Sequence, residues 1–158
     1  MHLQKTVSVE DILEVKHVFE RMAASHGIII NQYHADNGIF RVNSWVQYCQ
    51  ECDKPHLASY TWVDAQPTNG LSEIRIRDIQ ENGRAMMLYT QQKFPEAITA
   101  NFWSYALIHA NNSYNANLLL APTQVLSPLQ LFTRTQFQYD PKYFHPFGCP
   151  TYVLNEAL

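Results

Sequence analysis

The run Ile28-Ile29-Ile30 places the tightest constraint on what this chain can fold into. Three β-branched residues in succession, continuing to Tyr33, suit a strand covered on both faces, as in a parallel sheet. A helical pattern stands directly before them. Ser8-Val9-Glu10-Asp11 reads as a capping box, with Ser8 as N-cap and Asp11 reaching back from the third helical position. Ile12, Val15, Phe19, Met22 and Ala23 then recur at helical spacing, and Gly27 supplies the stop. Ser44 with Gln47 looks like a second capping box, opening a helix that carries Trp45, Val46, Cys49 and Cys52 and ends before Pro55. The alternation of Ala58, Tyr60 and Trp62 predicts a second strand. A loop from Asp64 to Gly70 introduces a long helix, Leu71 to Phe94, and Pro95 with Glu96 opens another that reaches Ala110. The order helix, strand, helix, strand, helix, helix predicts an α/β fold with parallel strands.

The tail is harder to read. Beyond Asn111 the periodicity weakens, residues 112–126 resemble a linker, and Ser127-Pro128 predicts one short helix. "FHPFGCPTYVL" predicts a short strand bracketed by prolines. The expected organisation is a core over residues 1–111 and a C-terminal segment over 112–158. Two parallel strands make a thin sheet, since stable sheets generally hold about three or more. The first helix also has no strand before it to cross over from, so strands are expected upstream.

With 46% hydrophobic and 16% charged residues in 158, the chain reads as one globular domain. No apolar run approaches the roughly 20 residues that span a bilayer, and no signal-peptide core precedes the first helix. Three cysteines, an odd number, fit reduced thiols. A nuclear or cytoplasmic protein that is neither secreted nor bound to a membrane is expected. The net charge of −3 means that any nucleic-acid contact must rest on a local patch.

Asp36, in "HADNGIF", follows the end of the first strand, and Glu73 follows it by 37 positions at the start of the long helix. Open α/β sheets bind ligands beyond the carboxyl ends of their strands. Two carboxylates delivered to one rim would suit Mg²⁺ or Mn²⁺. Each also has a purely structural reading. Asp-Asn-Gly is a common turn signal, and Glu73 suits a helix's first turn or an ion pair with Arg77. Arg77 and Arg84 fit phosphate contacts as well as they fit a solvated face. Cys49, Cys52 and His56 have a metal-like spacing, but both cysteines fall on the apolar side of a helix beside Trp45, which favours buried thiols. His34 could touch a substrate or simply end a strand. Phe102, Trp103 and Tyr105 read as core, because no basic residues alternate with them.

The strings "YHADNGIF", "QPTNGLSEIRIRDIQENGRAMML", "ITANFWSYALIHANNSYN" and "HPFGCPTYVL" resemble the integrase of copia-type retrotransposons, in order, from about Val9 to Leu158. That resemblance implies a ribonuclease H-like core and metal-dependent polynucleotidyl transfer that joins retroelement DNA ends to target DNA. It makes Asp36 and Glu73 the second and third carboxylates of an Asp-Asp-Glu triad holding Mg²⁺ or Mn²⁺. Asn69, Arg77 and Arg84 would lie against DNA. Residues 1–111 would then be a partial integrase catalytic core that lacks the family's first three strands and first Asp, and residues 112–158 a linker with the Phe-Gly-Cys strand. Such a truncated chain is expected to bind metal weakly, to be inactive alone, and to self-associate through its exposed sheet edge. The alternative is a domesticated, non-enzymatic structural or protein-interaction module.

Overall fold

Ser8 starts the first helix through its side chain. Its hydroxyl accepts the Asp11 N–H at 3.1 Å, and α1 runs over Val9–Ser25 with Glu10 and Asp11 in the first turn, where the helix dipole favours acid. Backbone turns close the other end, with the Ser25 hydroxyl donating to Met22 O at 2.7 Å. Gly27 at φ +72° lets its own N–H reach Ala24 O while the Ile28 N–H reaches Ala23 O, each at 2.9 Å, satisfying carbonyls that the helix leaves open. The stop falls where the sequence puts it.

The computed structural model describes residues 8–35, 40, 42–51, 56–60, 70–117, 119–121, 124–135 and 144–152. Its contacts divide the chain into two units, His2–Ile76 and Arg77–Leu158. In the first unit α1 is followed by β1 (Gln32–Ala35), α2 (Asn43–Glu51), β2 (Leu57–Tyr60) and the opening turns of α3 (Gly70–Lys93). β1 and β2 pair in parallel, Tyr33 opposite Ala58 and His34 opposite Ser59. The α/β expectation therefore holds as a helix-rich fold with a small parallel sheet.

Two details depart from the sequence reading. β1 begins at Gln32 instead of Ile28, and Ile29 is 60% exposed. A strand exists only where a neighbour pairs with it. The first cross-strand bond runs from the Leu57 N–H to Asn31 O at 2.9 Å, and no described strand lies beside residues 28–30. The Ser44/Gln47 capping box does not form either. Helix α2 already includes Asn43, with the Trp45 and Val46 N–H groups bonded to Val42 O, and the Gln47 amide donates forward to Glu51. The apolar face is as expected, with Trp45 and Cys49 buried.

The second unit is built on the approach of two helices. α3 continues from Arg77 to Lys93, and after a turn and a 3₁₀ segment (Ala100–Phe102) α4 follows over Trp103–Ala116. A Cβ on Gly83 would stand 3.1 Å from Leu107 Cδ2 and 3.6 Å from the Ala106 backbone, and Ala106 and Ala110 are buried. Small residues let these helices come close. Pro95 and Glu96, expected to open α4, lie instead in a turn closed by the Ala97 N–H on Phe94 O at 3.1 Å, and Ile98 after it is buried. The 111/112 boundary of the sequence reading falls inside α4. Phe102, Trp103 and Tyr105, around its start, are 38–63% exposed, so they are not buried core.

Beyond α4, β3 (Leu119–Ala121) and β4 (Gln124–Leu126) pair antiparallel, a hairpin the weak periodicity concealed. α5 (Pro128–Thr133) follows as predicted, capped by Ser127 and Gln130 and packed on α4. The described part of the terminal motif, residues 144–152, is not a strand. The Cys149 N–H bonds Pro146 O, and Gly148 takes φ +74° at the turn position that demands glycine. The Thr90 hydroxyl on α3 lies 3.0 Å from Phe147 O, and the His109 ring on α4 lies against Phe144 and Phe147. The motif closes over the helix pair instead of extending the sheet, since its prolines and turn glycine leave no ladder to continue.

Candidate functional site

The helical crossover between β1 and β2 makes both strands end on one rim, at Ala35 and Tyr60. Helix α3 starts at Gly70 and carries Glu73 in its first turn. Within the first unit a cleft of about 510 Å³ is lined by His34 and Ala35 from β1, Ser72 and Glu73 from α3, and Val15 and Phe19 from α1. Glu73 thus shares a cleft with the carboxyl end of β1. It is exposed, and a carboxylate there is favoured by the partial positive charge of the helix start. His34 Nδ1 stands 2.9 Å from Ser59 Oγ on the neighbouring strand, and the Gln32 amide donates to the same hydroxyl. His34 is therefore held across the sheet at the mouth of the cleft.

Asp36 and Asn69 lie outside the described residues. Arg77 and Arg84 are exposed on α3, seven positions apart and hence on one side of the helix, and both belong to the second unit. Among the described residues no three of His, Cys, Asp or Glu come together as a metal site. Glu73 supplies one hard oxygen donor, the type Mg²⁺ takes, and Asp36 follows Ala35 directly in the sequence.

The Cys49–Cys52–His56 spacing serves another end. Cys49 is a buried thiol and Cys52 lies outside the described residues. His56 turns its Nε2 to Glu20 at 3.3 Å and sets its ring edge-on to Tyr33.

That contact belongs to a cluster the sequence reading passed over. Lys16 is a buried cation, with its side chain 2% exposed. Its Nζ lies 2.6 Å from Glu20 Oε1, beneath the rings of Tyr48, Tyr33 and Trp45 at 4.6, 5.1 and 5.9 Å. Tyr33 donates its hydroxyl to the same Glu20 oxygen at 2.7 Å. Burial pushes the Glu20 carboxyl up, but hydrogen bonds from Lys16 and Tyr33, with the charges of Lys16 and His56, outweigh it and hold the group below the usual carboxylate range. A signal was present in the sequence. Lys16 sits four residues after Ile12 and seven before Ala23, inside the apolar stripe of α1, while a Lys–Glu pair at that spacing ordinarily reads as a solvated surface pair.

Among the described residues no helix is long and apolar enough to cross a membrane. No family model matches the chain, and neither a curated protein nor a solved structure does.

Proposed function

We propose that this chain forms part of a ribonuclease H-like, integrase-type core, in which Asp36 and Glu73 are the second and third acidic ligands for Mg²⁺ or Mn²⁺. The observation that carries the proposal is Glu73 in the first turn of α3, lining one cleft with the carboxyl end of a strand from a helix-connected parallel pair. The motif strings around Asp36, Glu73 and Phe147-Gly148-Cys149 support the same reading. The metal would polarise a phosphodiester and activate the attacking hydroxyl. Glu73 would hold it through a carboxylate oxygen, and by the same resemblance Asn69, Arg77 and Arg84 would contact DNA phosphates. Two carboxylates out of a set of three leave Mg²⁺ largely to its waters, so binding by this chain is weak.

Calorimetry with Mg²⁺ and a strand-transfer assay on retroelement-end DNA test the proposal. The expected result is weak Mg²⁺ binding that Glu73→Gln and Asp36→Asn each diminish, with no turnover by this chain alone. Metal binding unchanged in both variants would overturn the ligand assignment. Robust turnover that Glu73→Gln abolishes would overturn the partial-core reading.

A second reading, an interaction module, is favoured by one observation. Among the described residues β1 and β2 form a two-stranded sheet, and Ile29 before β1 and Leu57 at the start of β2 are 60% and 69% exposed. Exposed apolar side chains at a two-stranded sheet favour association.

A further inference from the structure

We propose that Glu20 is an acid-sensitive latch whose carboxylate holds α1 against the β1–β2 pair, and whose protonation loosens the wall that α1 contributes to the cleft. One oxygen, Oε1, gathers donors from three separate segments: Lys16 Nζ on α1, the Tyr33 hydroxyl on β1 and His56 Nε2 just before β2. The same stretch of α1 lines the cleft through Ile12, Val15 and Phe19. A change at Glu20 is therefore felt both at the sheet and at the cleft.

The groups facing this oxygen decide the direction. Lys16 brings a positive charge that the aromatic rings around it shield from water, and it needs a counter-ion there. Tyr48, the ring closest to the ammonium, is itself hydrogen-bonded to His17 Nδ1 on α1. His56 is nine-tenths buried, and its Nδ1 has no hydrogen-bond partner among the described residues. Once Glu20 takes up a proton, the buried Lys16 ammonium loses its ion-pair partner. Because Glu20 sits below the usual carboxylate range, the latch is fully present above about pH 4.3, the ordinary glutamate value, and is lost as pH falls through the lower folded value.

This inference rests on the cluster and not on the metal reading of Glu73, so its test does not involve metal or DNA. Hydrogen exchange of the α1 amides in the full chain, corrected for intrinsic rates, is followed from pH 6 to pH 3 in the wild type, in Glu20→Gln, and in Lys16→Met with Glu20→Gln. Wild-type α1 is expected to lose protection by about tenfold or more relative to α4. Glu20→Gln should be poorly protected throughout and flat over that interval. The double variant should regain protection and stay flat, since no ammonium remains to be neutralised. Acid loss in Glu20→Gln equal to the wild type's would overturn the latch, because His56 or other carboxylates would then be responsible. Should Glu20→Gln not fold, the double variant decides: a wild-type acid loss there overturns the proposal, and a flat profile supports it.

Discussion

Gly148 and Thr90 show how one residue can decide a close contact. A Cβ on Gly148 would run into Thr90 Cγ2, and φ of +74° is already unfavourable for any side chain. Gly148→Ala should therefore cost on the order of 2–4 kcal/mol, combining backbone strain with overpacking. Thr90→Ser keeps the hydroxyl that faces Phe147 O and Met86 O but deletes the obstructing methyl. Thermal unfolding of the two single variants and their combination should show Thr90→Ser recovering part of the Gly148→Ala loss. Strict additivity would mean that the two side chains do not meet. At this scale the sequence announced Gly148 through its Phe-Gly-Cys setting, but nothing in it paired residue 148 with residue 90. Lys16 teaches the same lesson. Its place in an apolar stripe was visible, whereas the cage of Tyr33 from β1 and Trp45 and Tyr48 from α2 is assembled from two other elements.

The elements differ in how much of their ending and beginning is local. Ser127 is buried, accepts the Gln130 N–H at 3.2 Å, and gives its own N–H to Gln130 Oε1 at 2.8 Å, so both halves of the capping box are present. Ser8 accepts the Asp11 N–H at 3.1 Å but is less buried than Ser127. Ser127→Ala should cost about 1–2 kcal/mol and Ser8→Ala about 0.5–1 kcal/mol, read from chemical denaturation. A loss at Ser8 larger than at Ser127 would contradict the reading. The helix pair gives a steric test. Gly83→Ala adds helix propensity worth up to about 1 kcal/mol but presses on the movable end of Leu107, so its effect should be small. Gly83→Val has no such compensation and should destabilise by about 1–3 kcal/mol. Where an element depends on a partner, the local reading slipped. β1 moved to Gln32, β3 and β4 went unforeseen, and the terminal motif became a turn.

For the whole molecule, the exposed flank of the parallel pair makes association the expected behaviour. Sedimentation velocity should show a concentration-dependent increase in mass, and Ile29→Lys with Leu57→Lys should reduce it without lowering the melting temperature, since both side chains lie mostly in solvent. A chain that stays monomeric at all concentrations would remove the support for the interaction-module reading. Supplying an added strand as a peptide should raise stability if β1 can accept a second neighbour.

The sequence by itself determined the helices whose signals are local: α1 from Ser8 to Gly27, the length of α3, and α5 from Ser127-Pro128. It also determined the parallel sense of the two strands, because a helix between them leaves little else possible. Tertiary structure decided where β1 begins, since a strand ends where its neighbour's hydrogen bonds end. It decided that Phe102, Trp103 and Tyr105 stay 38–63% exposed while Ala106 and Ala110 are buried, because small residues let α3 and α4 approach closely. It also decided that Lys16 is buried, since a cation enters an interior only where an acid and aromatic faces from other segments meet it.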